Sequence, residues 1–374
     1  MRIKIFTLPY ALTDIYSPEL VSIAYGMIQL GHEVFGNVNF WKQSDGQWLV
    51  NESDSNAYDL GLFDWRFAYH CRTWIWDSRF TSVPSVIVDR SAGMALQHRW
   101  LRDGWLDRAT LILRSDAIAH EPQFANVRPW AIGIIPEVMN SIDQTRNGLT
   151  EKDNVIWQSF RVNHSVRRDL IQHLELVTSG SDVRLVRDIV VDKDQTAYEK
   201  ALNEVTGGRF NVAFHEKLNA APFTLAVGGY WEMLPFGYYQ ADGPFKSKSP
   251  YGLGLRVKKK IRRYFADAEM HQTNRHRCIV QWDSFRLWES LYADTVPIFF
   301  DFDYWGFQLP VKPVEGVHYI GIKSFDCSGL VDVISKLDDA GRERIAQAGR
   351  EFVLTNYGPR AVAQRVLDYV ASRP

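Results

Sequence analysis

The chain has 374 residues, which is long enough for two domains that each bury a core of their own. Its apolar fraction of 46% and its charged fraction of 23% are typical of a globular protein. The formal net charge of -1 excludes a strong overall field that would attract nucleic acid or a membrane.

Strands alternate with helices in the first third of the chain. The apolar runs predict strands at residues 2–8, 32–35, 58–63, 85–88 and 110–114. A helix is predicted at residues 18–30, with Pro18 in its first turn and Gly31 as its stop. Two of the strands lead directly into an aspartate, Asp64 and Asp89. This alternation predicts a doubly wound parallel sheet.

The pattern breaks over residues 128–140, where Pro129, Gly133 and Pro136 fall close together. The stretch that follows is polar to about residue 153, so we predict an interdomain linker there. A second alternation then begins, with strands at 155–158, 183–186 and 318–322 and helices at 165–174, 197–204, 339–354 and 360–371. We assign no elements to residues 205–255, for which the alternatives are an insertion and a lid.

The segment CIVQWDSFRLWESLYADTVPIFFD, residues 278–301, carries the most information. Its pattern is strand, helix, strand, and it predicts a right-handed parallel crossover. Four polar residues crowd the start of the helix: Asp283, Ser284, Arg286 and Glu289. A structural turn needs one cap, and a helix N-terminus at the end of a strand suits a phosphate. We therefore favour a binding site over an ordinary helix start with an Arg–Glu pair.

Part of this segment, DSFRLWESLYADTVPIFFD, resembles the donor-binding motif of exostosin-like and related GT-B glycosyltransferases, in which Ser-x-Arg-x-x-Glu opens a helix and a Val-Pro strand follows. SFRVNHSVRRDLIQHL is similar to the first loop and helix of their nucleotide-binding half. The resemblance implies an α/β fold of two Rossmann-like doubly wound domains that face a cleft. Residues 1–140 would then form the acceptor domain and residues 150–356 the donor domain, with a last helix at 357–374 packing back on the first.

The resemblance also implies which residues hold the nucleotide-sugar donor. They are Gln281, Asp283, Ser284, Arg286 and Glu289, with Glu289 on the ribose. Arg161 and Arg167 begin a helix of the same domain, so either is placed to reach phosphate, although Asn163 or Ser165 would explain a plain capped start. A basic run at 256–263 reads mainly as a solvated helix face, with one or two members available to a diphosphate or to anionic lipid.

The stereochemical outcome depends on the carboxylates. Retaining enzymes of this type often carry two glutamates separated by seven residues, and here the first slot is Gln281. We therefore favour inversion, which needs a general base in the first domain. The candidates are Asp89, Asp14, Asp64 and His70, with Asp89 first because Arg90 and a flexible Ser-Ala-Gly follow it. Each of them alone is more often a cap or a turn residue.

No metal or cofactor is predicted beyond the nucleotide-sugar, which serves as co-substrate. The Asp301-Phe302-Asp303 triplet has the Asp-x-Asp form of metal-dependent GT-A enzymes, but its late position indicates a turn. There is no G-x-G-x-x-G after a strand, which argues against a nicotinamide enzyme. The three cysteines, Cys71, Cys278 and Cys327, lack the spacing of a zinc site or a disulfide framework.

The function that the resemblance implies is metal-independent transfer of a sugar from a nucleotide-sugar to a hydroxyl acceptor, a glycan or glycolipid in bacterial surface polysaccharide synthesis. The alternatives are an epimerase, a nucleic-acid-modifying glucosyltransferase, and a sugar-binding or scaffold protein without catalysis. Nucleic acid is not expected as a partner. No apolar run reaches the roughly 18 residues of a membrane span, and the first ten residues predict a strand rather than a signal peptide. We predict a cytoplasmic protein, with peripheral contact to an anionic membrane left open.

Overall fold

The computed structural model describes ten stretches of the chain: residues 1–9, 17–70, 83–90, 104–119, 124–146, 154–162, 164–190, 194–233, 277–327 and 329–372. Some of the predictions therefore lie wholly or partly outside the described residues. They concern Asp14 as a base, Asn163 as a cap, the basic run at 256–263, and the insertion or lid at 205–255, which is described only to residue 233.

Eight strands form the first sheet. They are β1 (Arg2–Phe6), β2 (Glu33–Gly36), β3 (Phe40–Lys42), β4 (Trp48–Glu52), β5 (Leu60–Asp64), β6 (Ser85–Asp89), β7 (Leu111–Arg114) and β8 (Val127–Pro129). Their order is β3-β4-β2-β1-β5-β6-β7-β8, and every neighbouring pair is parallel except β3 with β4. Strands β5 and β7 are buried along their whole length, as expected for a parallel sheet covered on both faces. The five predicted strands are confirmed, and β3, β4 and β8 were not predicted.

The second sheet has five strands, all parallel. They are β9 (Val155–Gln158), β10 (Arg184–Arg187), β11 (Phe223–Leu225), β14 (Val296–Phe300) and β15 (Ile320–Ile322). Their order is β10-β9-β11-β14-β15. Two more strands, β12 (Tyr230–Met233) and β13 (Arg277–Val280), form a separate antiparallel ribbon.

Eleven helices lie within the described residues. They are α1 (Pro18–Gln29), α2 (Trp65–His70), α3 (Trp105–Arg108), α4 (Pro136–Gln144), α5 (Ser165–Thr178), α6 (Ala197–Val205), α7 (Val212–Ala220), α8 (Phe285–Tyr292), α9 (Leu330–Ser335), α10 (Asp339–Tyr357) and α11 (Pro359–Ala371). The predicted helices at 18–30, 165–174, 197–204, 339–354 and 360–371 are confirmed. Capping residues explain where α6 and α7 begin. Thr196 and Glu199 form a capping box at the start of α6, and the side chain of Asn211 accepts a hydrogen bond from the N–H of Phe214 at the start of α7.

The predicted parallel crossover over residues 278–301 is wrong. Strand β13 pairs with β12 in the antiparallel ribbon, and it does not pair with β14. The physical reason is that both edges of β14 are taken, one by β11 and the other by β15. Backbone conformation reinforces the separation, because Gly229 enters β12 at φ +95° and Gln281 leaves β13 at φ +52°.

A helix that was not predicted, α4, overlaps the start of the predicted linker, and the linker itself stays a prediction. Pro136 stands at the first helical position, and Val138 and Ile142 are buried on one face. This face packs against α7 and α8 of the second half. The linker prediction overlooked a nine-residue helix because so short an element offers only two or three buried positions to the sequence pattern.

The last helix, α11, packs on α1 of the first half. The two backbones approach so closely that a Cβ on Gly26 would lie 1.9 Å from the carbonyl oxygen of Pro359. Glycine is therefore required at position 26. The domain limits at residues 140 and 150 remain a prediction. Among the described helices, none is both long and apolar enough to cross a membrane.

Candidate functional site

The start of α8 lies at the carboxyl edge of the second sheet. The hydroxyl of Ser284 donates to the carbonyl oxygen of Ala226, which directly follows β11, at 3.0 Å. A Cβ on Gly228 would lie 3.1 Å from the Cβ of Ser284, so the loop after β11 and the turn before α8 need this glycine to meet. Because the Ser284 side chain is used in this way, it does not cap the first-turn N–H groups of α8.

Two arginines surround the ring of Phe160, which follows β9. The guanidinium carbon of Arg167 lies 4.6 Å from the ring centroid, and that of Arg286 lies 6.0 Å from it. Arg167 Nε donates to the carbonyl oxygen of Val227 at 3.1 Å, and Arg286 Nε donates to Ser159 Oγ at 3.3 Å. Uncharged oxygens therefore hold both guanidinium groups at the carboxyl ends of β9 and β11.

The positive charges of these two arginines are poorly compensated. Burial, and the like charge of Arg286, lower the pKa of Arg167 to about 10. Burial also lowers the pKa of Arg286, while the charge of Glu289 opposes that change. Within the described part of the chain, no carboxylate lies within 4 Å of either guanidinium group. An anion bound between them would relieve their repulsion.

Glu289 lies one turn into α8 and is 5% exposed. Burial raises its pKa to about 7, although Arg286 and Arg209 both act in the opposite direction. Its carboxylate receives no hydrogen bond from any residue that the structure describes. It is therefore available to accept hydrogen bonds from hydroxyl groups of a ligand.

Asp283 was predicted to contact the donor, but its carboxylate binds protein groups instead. Oδ2 accepts a hydrogen bond from the N–H of Ile132 at 2.6 Å, and Oδ1 accepts one from the Nε1–H of Trp288 at 2.6 Å. Its own N–H donates to Asp116 Oδ1 at 2.7 Å. Burial and the mutual repulsion of the two carboxyl groups raise the pKa of Asp283 well above its usual value, and burial raises that of Asp116 to about 6.

These contacts belong to a seam between the two halves of the molecule, which we define as residues 116–119 with residues 282–283 and 306–308. Ile118 forms an antiparallel bridge with Phe307, whose ring stacks on Trp282 with centroids 4.6 Å apart. Gln308 N–H donates to the carbonyl oxygen of Ala117 at 2.9 Å. Asp283 is thus part of the joint between the halves, directly before the start of α8.

Arg161 and Gln281 are linked to this group less directly than the other predicted donor residues. Arg161 is exposed, and its carbonyl oxygen, not its side chain, contacts Arg167, at 3.5 Å from Nη1. Gln281 is half-buried in the left-handed conformation that ends β13. Ser284, Arg286, Glu289 and Arg167 are the predicted donor residues that the fold brings together.

The predicted bases of the first half are engaged in structural contacts. Asp64 accepts hydrogen bonds from Ser17 and from the backbone N–H and guanidinium of Arg66. Asp89 is completely buried and lies 3.5 Å from Nη1 of Arg114, which is itself 2% exposed. The role of either carboxylate as a base stays a prediction. His70 ends α2 as an exposed residue.

Sequence analysis missed a group of residues that connects the two halves. The guanidinium carbons of Arg90 and Arg209 lie 4.7 Å and 4.8 Å from the ring centroid of Phe285, the first residue of α8. Arg90 Nε also lies 3.6 Å from Oε1 of Glu19, in the first turn of α1. The available signal was an acidic residue directly after Pro18, which is equally typical of an ordinary helix start.

The Asp-x-Asp triplet forms a turn, as predicted. Asp301 Oδ1 accepts the N–H of Tyr304 at 2.7 Å, while Asp303 pairs with Lys312 at 2.5 Å on the surface. Within the described ranges, no cluster of three or more His, Cys, Asp or Glu side chains is arranged to hold a metal ion.

Neither the protein-family models nor the curated proteins contain a match to this chain. Solved structures do match. An α-glucosyltransferase, in complex with UDP and a 13-mer DNA containing an HMU base, has a TM-score of 0.54 at 12% identity over 100% of both chains. HepE of Anabaena, in complex with UDP and glucose, has a TM-score of 0.49 at 12% identity over 100% of both chains. A glycosyltransferase of Rickettsia africae has a TM-score of 0.46 at 9% identity, over 100% of this chain and 99% of the other.

The similarity to the α-glucosyltransferase structure shows that the two proteins share a fold. The predicted class, an α/β protein of GT-B architecture with two parallel sheets, is thereby confirmed. The exostosin-like family remains a prediction, since no family model matches.

Proposed function

We propose that this protein is a glycosyltransferase that moves a sugar from a nucleotide-sugar donor to a hydroxyl acceptor. One observation carries the proposal. Arg167 and Arg286 share the ring of Phe160 at the carboxyl edge of the second sheet, and in the described residues no carboxylate lies within 4 Å of either guanidinium group. This arrangement is unfavourable without an anion, and a diphosphate would supply the missing negative charge.

The neighbouring groups fit the rest of such a donor. The first turn of α8 lacks a side-chain cap, so its N–H groups and the positive end of its dipole can face a phosphate. Glu289, buried and without a hydrogen bond from the described residues, would accept the ribose hydroxyls. When the sugar leaves, charge develops on the diphosphate, and the two guanidinium groups and the helix dipole would stabilise it. This is the basis for proposing a mechanism that needs no metal.

Asp283 has a different part in this proposal from the one first predicted. Its contacts with Ile132, Trp288 and Asp116 fix the turn that carries Ser284. It would therefore position the start of α8 and not touch the donor. Arg161 and Gln281 would line the mouth of the site.

The direct test is binding of UDP to the wild-type protein and to Arg167→Gln and Arg286→Gln. A hydrogen bond to a charged group contributes about 1.5–3 kcal/mol, so each variant should bind UDP roughly 10–100-fold more weakly. Arg365→Gln is the matched control, because Arg365 also lies over an aromatic ring, that of Tyr357, but in α11. Equal UDP affinity in all four proteins would refute the assignment. GDP and CDP, measured in parallel, would identify the nucleoside.

The acceptor is proposed by two routes. A glycan or glycolipid of a bacterial surface, made at the cytoplasmic side with peripheral contact to the membrane, follows from the family resemblance. A base in DNA is the second candidate, because a structure of the same fold was solved with DNA bound. The two are separated by measuring whether duplex DNA carrying hydroxymethylated pyrimidines, or a lipid-linked sugar, stimulates donor consumption. Donor binding without consumption under either condition would favour a sugar-binding protein.

A further inference from the structure

The order of the first sheet reverses between β1 and β5. The chain leaves β1 through α1 towards β2 on one side, whereas β5, β6, β7 and β8 follow one another on the other side. In an open parallel sheet, ligands bind in the crevice outside the carboxyl ends of the strands at such a reversal. The first turn of α1 lies at this crevice, because Ser17 bonds the carboxylate of Asp64 at the end of β5.

Glu19 is the acidic residue among the buried side chains of that first turn. It is 2% exposed, and Oε1 lies 3.5 Å from Ser115 Oγ and 3.6 Å from Arg90 Nε. Oε2 is buried and has no hydrogen-bond partner among the residues that the structure describes. A buried carboxylate oxygen without a partner is costly, and native structures rarely retain one for packing alone.

A purely structural ion pair between Glu19 and Arg90 would favour the ionised carboxylate. Here burial outweighs the nearby charge of Arg90 and raises the pKa of Glu19 to about 7. A carboxyl group with such a pKa can release and accept a proton near neutral pH. Of the other carboxylates at this edge, Asp64 accepts hydrogen bonds from Ser17 and Arg66, and Asp89 lies 3.5 Å from Arg114, much as Glu19 lies 3.6 Å from Arg90.

Glu19 also lies close to the proposed donor site. Arg90 contacts it on one side and stacks on Phe285, the first residue of α8, on the other. One arginine side chain therefore spans the distance between Glu19 and the donor helix. The next residue of that helix is Arg286, one of the two guanidinium groups assigned to the diphosphate.

We propose that Glu19 is the general base of the reaction, with Oε2 accepting the proton of the acceptor hydroxyl. This inference rests on the proposed function. The O–H bond of the acceptor breaks and its proton passes to Oε2, while the acceptor oxygen bonds to the anomeric carbon. The bond from that carbon to the diphosphate breaks, and its electron pair leaves on the phosphate oxygen that faces Arg167 and Arg286. Attack opposite the leaving group inverts the anomeric centre.

The test compares wild type with Glu19→Gln, Glu19→Asp and Glu137→Gln. Turnover is measured as nucleoside diphosphate released from UDP-, GDP- and TDP-sugars with water as the acceptor, on the donor that wild type uses fastest. General base catalysis contributes roughly 10²–10⁴-fold, so Glu19→Gln should lose at least about 100-fold in kcat. Its affinity for UDP should stay within about twofold, and Glu19→Asp should recover part of the rate.

Glu137→Gln is the matched control. Glu137 is another carboxylate with a buried oxygen that has no partner in the described part of the chain, but its other oxygen accepts hydrogen bonds from Tyr25 and Trp41. Its kcat should equal that of wild type. A second measurement does not depend on any variant. The kcat/KM of wild type should rise with pH through about 7, which is the pKa of Glu19 in the enzyme without substrate.

The outcomes separate the two proposals. If Glu19→Gln turns over within about threefold of wild type, or if the wild-type profile is flat between about pH 5.5 and 8.5, Glu19 is not the base, although the transferase assignment stands. If Glu19→Gln no longer binds UDP, the pH profile and Glu19→Asp decide the question. Wild-type protein that neither binds UDP, GDP or CDP nor releases nucleotide from any of the donors overturns the proposed function, and the role of Glu19 with it.

Discussion

The two sheets carry different electrostatics at their carboxyl edges. At the first sheet each of three arginines lies against a carboxylate, in the pairs Arg66 with Asp64, Arg90 with Glu19 and Arg114 with Asp89. At the second sheet two arginines lie together around Phe160, and the structure describes no carboxylate within 4 Å of them. A balanced edge suits a neutral hydroxyl group, whereas an edge with excess positive charge suits a diphosphate. The comparison therefore supports acceptor and donor sides in the proposed enzyme.

The largest expected effect tests the balanced edge. Asp89→Ala removes the carboxylate that lies beside the buried guanidinium of Arg114. Breaking a buried ion pair by removing one partner costs about 3–5 kcal/mol of unfolding free energy, which denaturant unfolding would measure. Glu33→Ala is the control, because its pair with Arg2 is exposed and should change stability by less than about 1 kcal/mol. Similar losses of unfolding free energy in both variants would mean that the buried pair of Asp89 and Arg114 does not stabilise the edge of the first sheet.

An intermediate effect concerns pH. Burial raises the pKa of Glu289 to about 7 in the folded protein, from an ordinary value of 4.5. The folded state thus binds the proton more tightly, and this contribution to stability is present below pH 4.5 and is lost as pH rises through 7. Wild type without ligand should therefore lose stability relative to Glu289→Gln by up to about 3 kcal/mol between pH 5 and 8. Parallel pH profiles of unfolding free energy in the two proteins would contradict the assignment.

The smallest expected effect sharpens the contrast at the second edge. Arg286→Gln removes one of two guanidinium groups that repel each other, so the protein without ligand should become more stable, by about 0.5–1 kcal/mol. The same substitution weakens UDP binding, as stated above. Thermal unfolding without nucleotide and with saturating UDP measures both changes. A loss of stability without nucleotide would show that Arg286 stabilises the fold and that its repulsion from Arg167 does not destabilise the protein.

Much of the fold was predictable because buried parallel strands are continuous apolar runs, such as those that became β5 and β14. Sheet membership was not predictable in the same way. The run at β13 has the composition of a central strand, but pairing depends on which strand edges remain free, and β11 and β15 occupy both edges of β14. The short helix α4 was missed because its few apolar positions do not form a recognisable period.

The site was predictable in residue type and not in orientation. Arg286, Glu289 and Arg167 were identified from their positions at helix starts, and the fold brings them together. Asp283 stands beside them in sequence, yet its carboxylate accepts hydrogen bonds from Ile132 in the first half and from Trp288 in α8. Glu19 gave only the signal of an ordinary helix start, because what distinguishes it is its burial beside Arg90 and Ser115, which are far away in the sequence.

The seam has a mechanical consequence. Asp283 joins the two halves, and the very next residue, Ser284, begins the helix that would receive the phosphate. We expect a rotation of one half against the other about this joint to move the start of α8 relative to the first half, since a single peptide unit separates the joint from the helix. Opening or closing of the cleft would therefore re-aim the helix dipole, so that the grip on the leaving group changes with the angle between the halves.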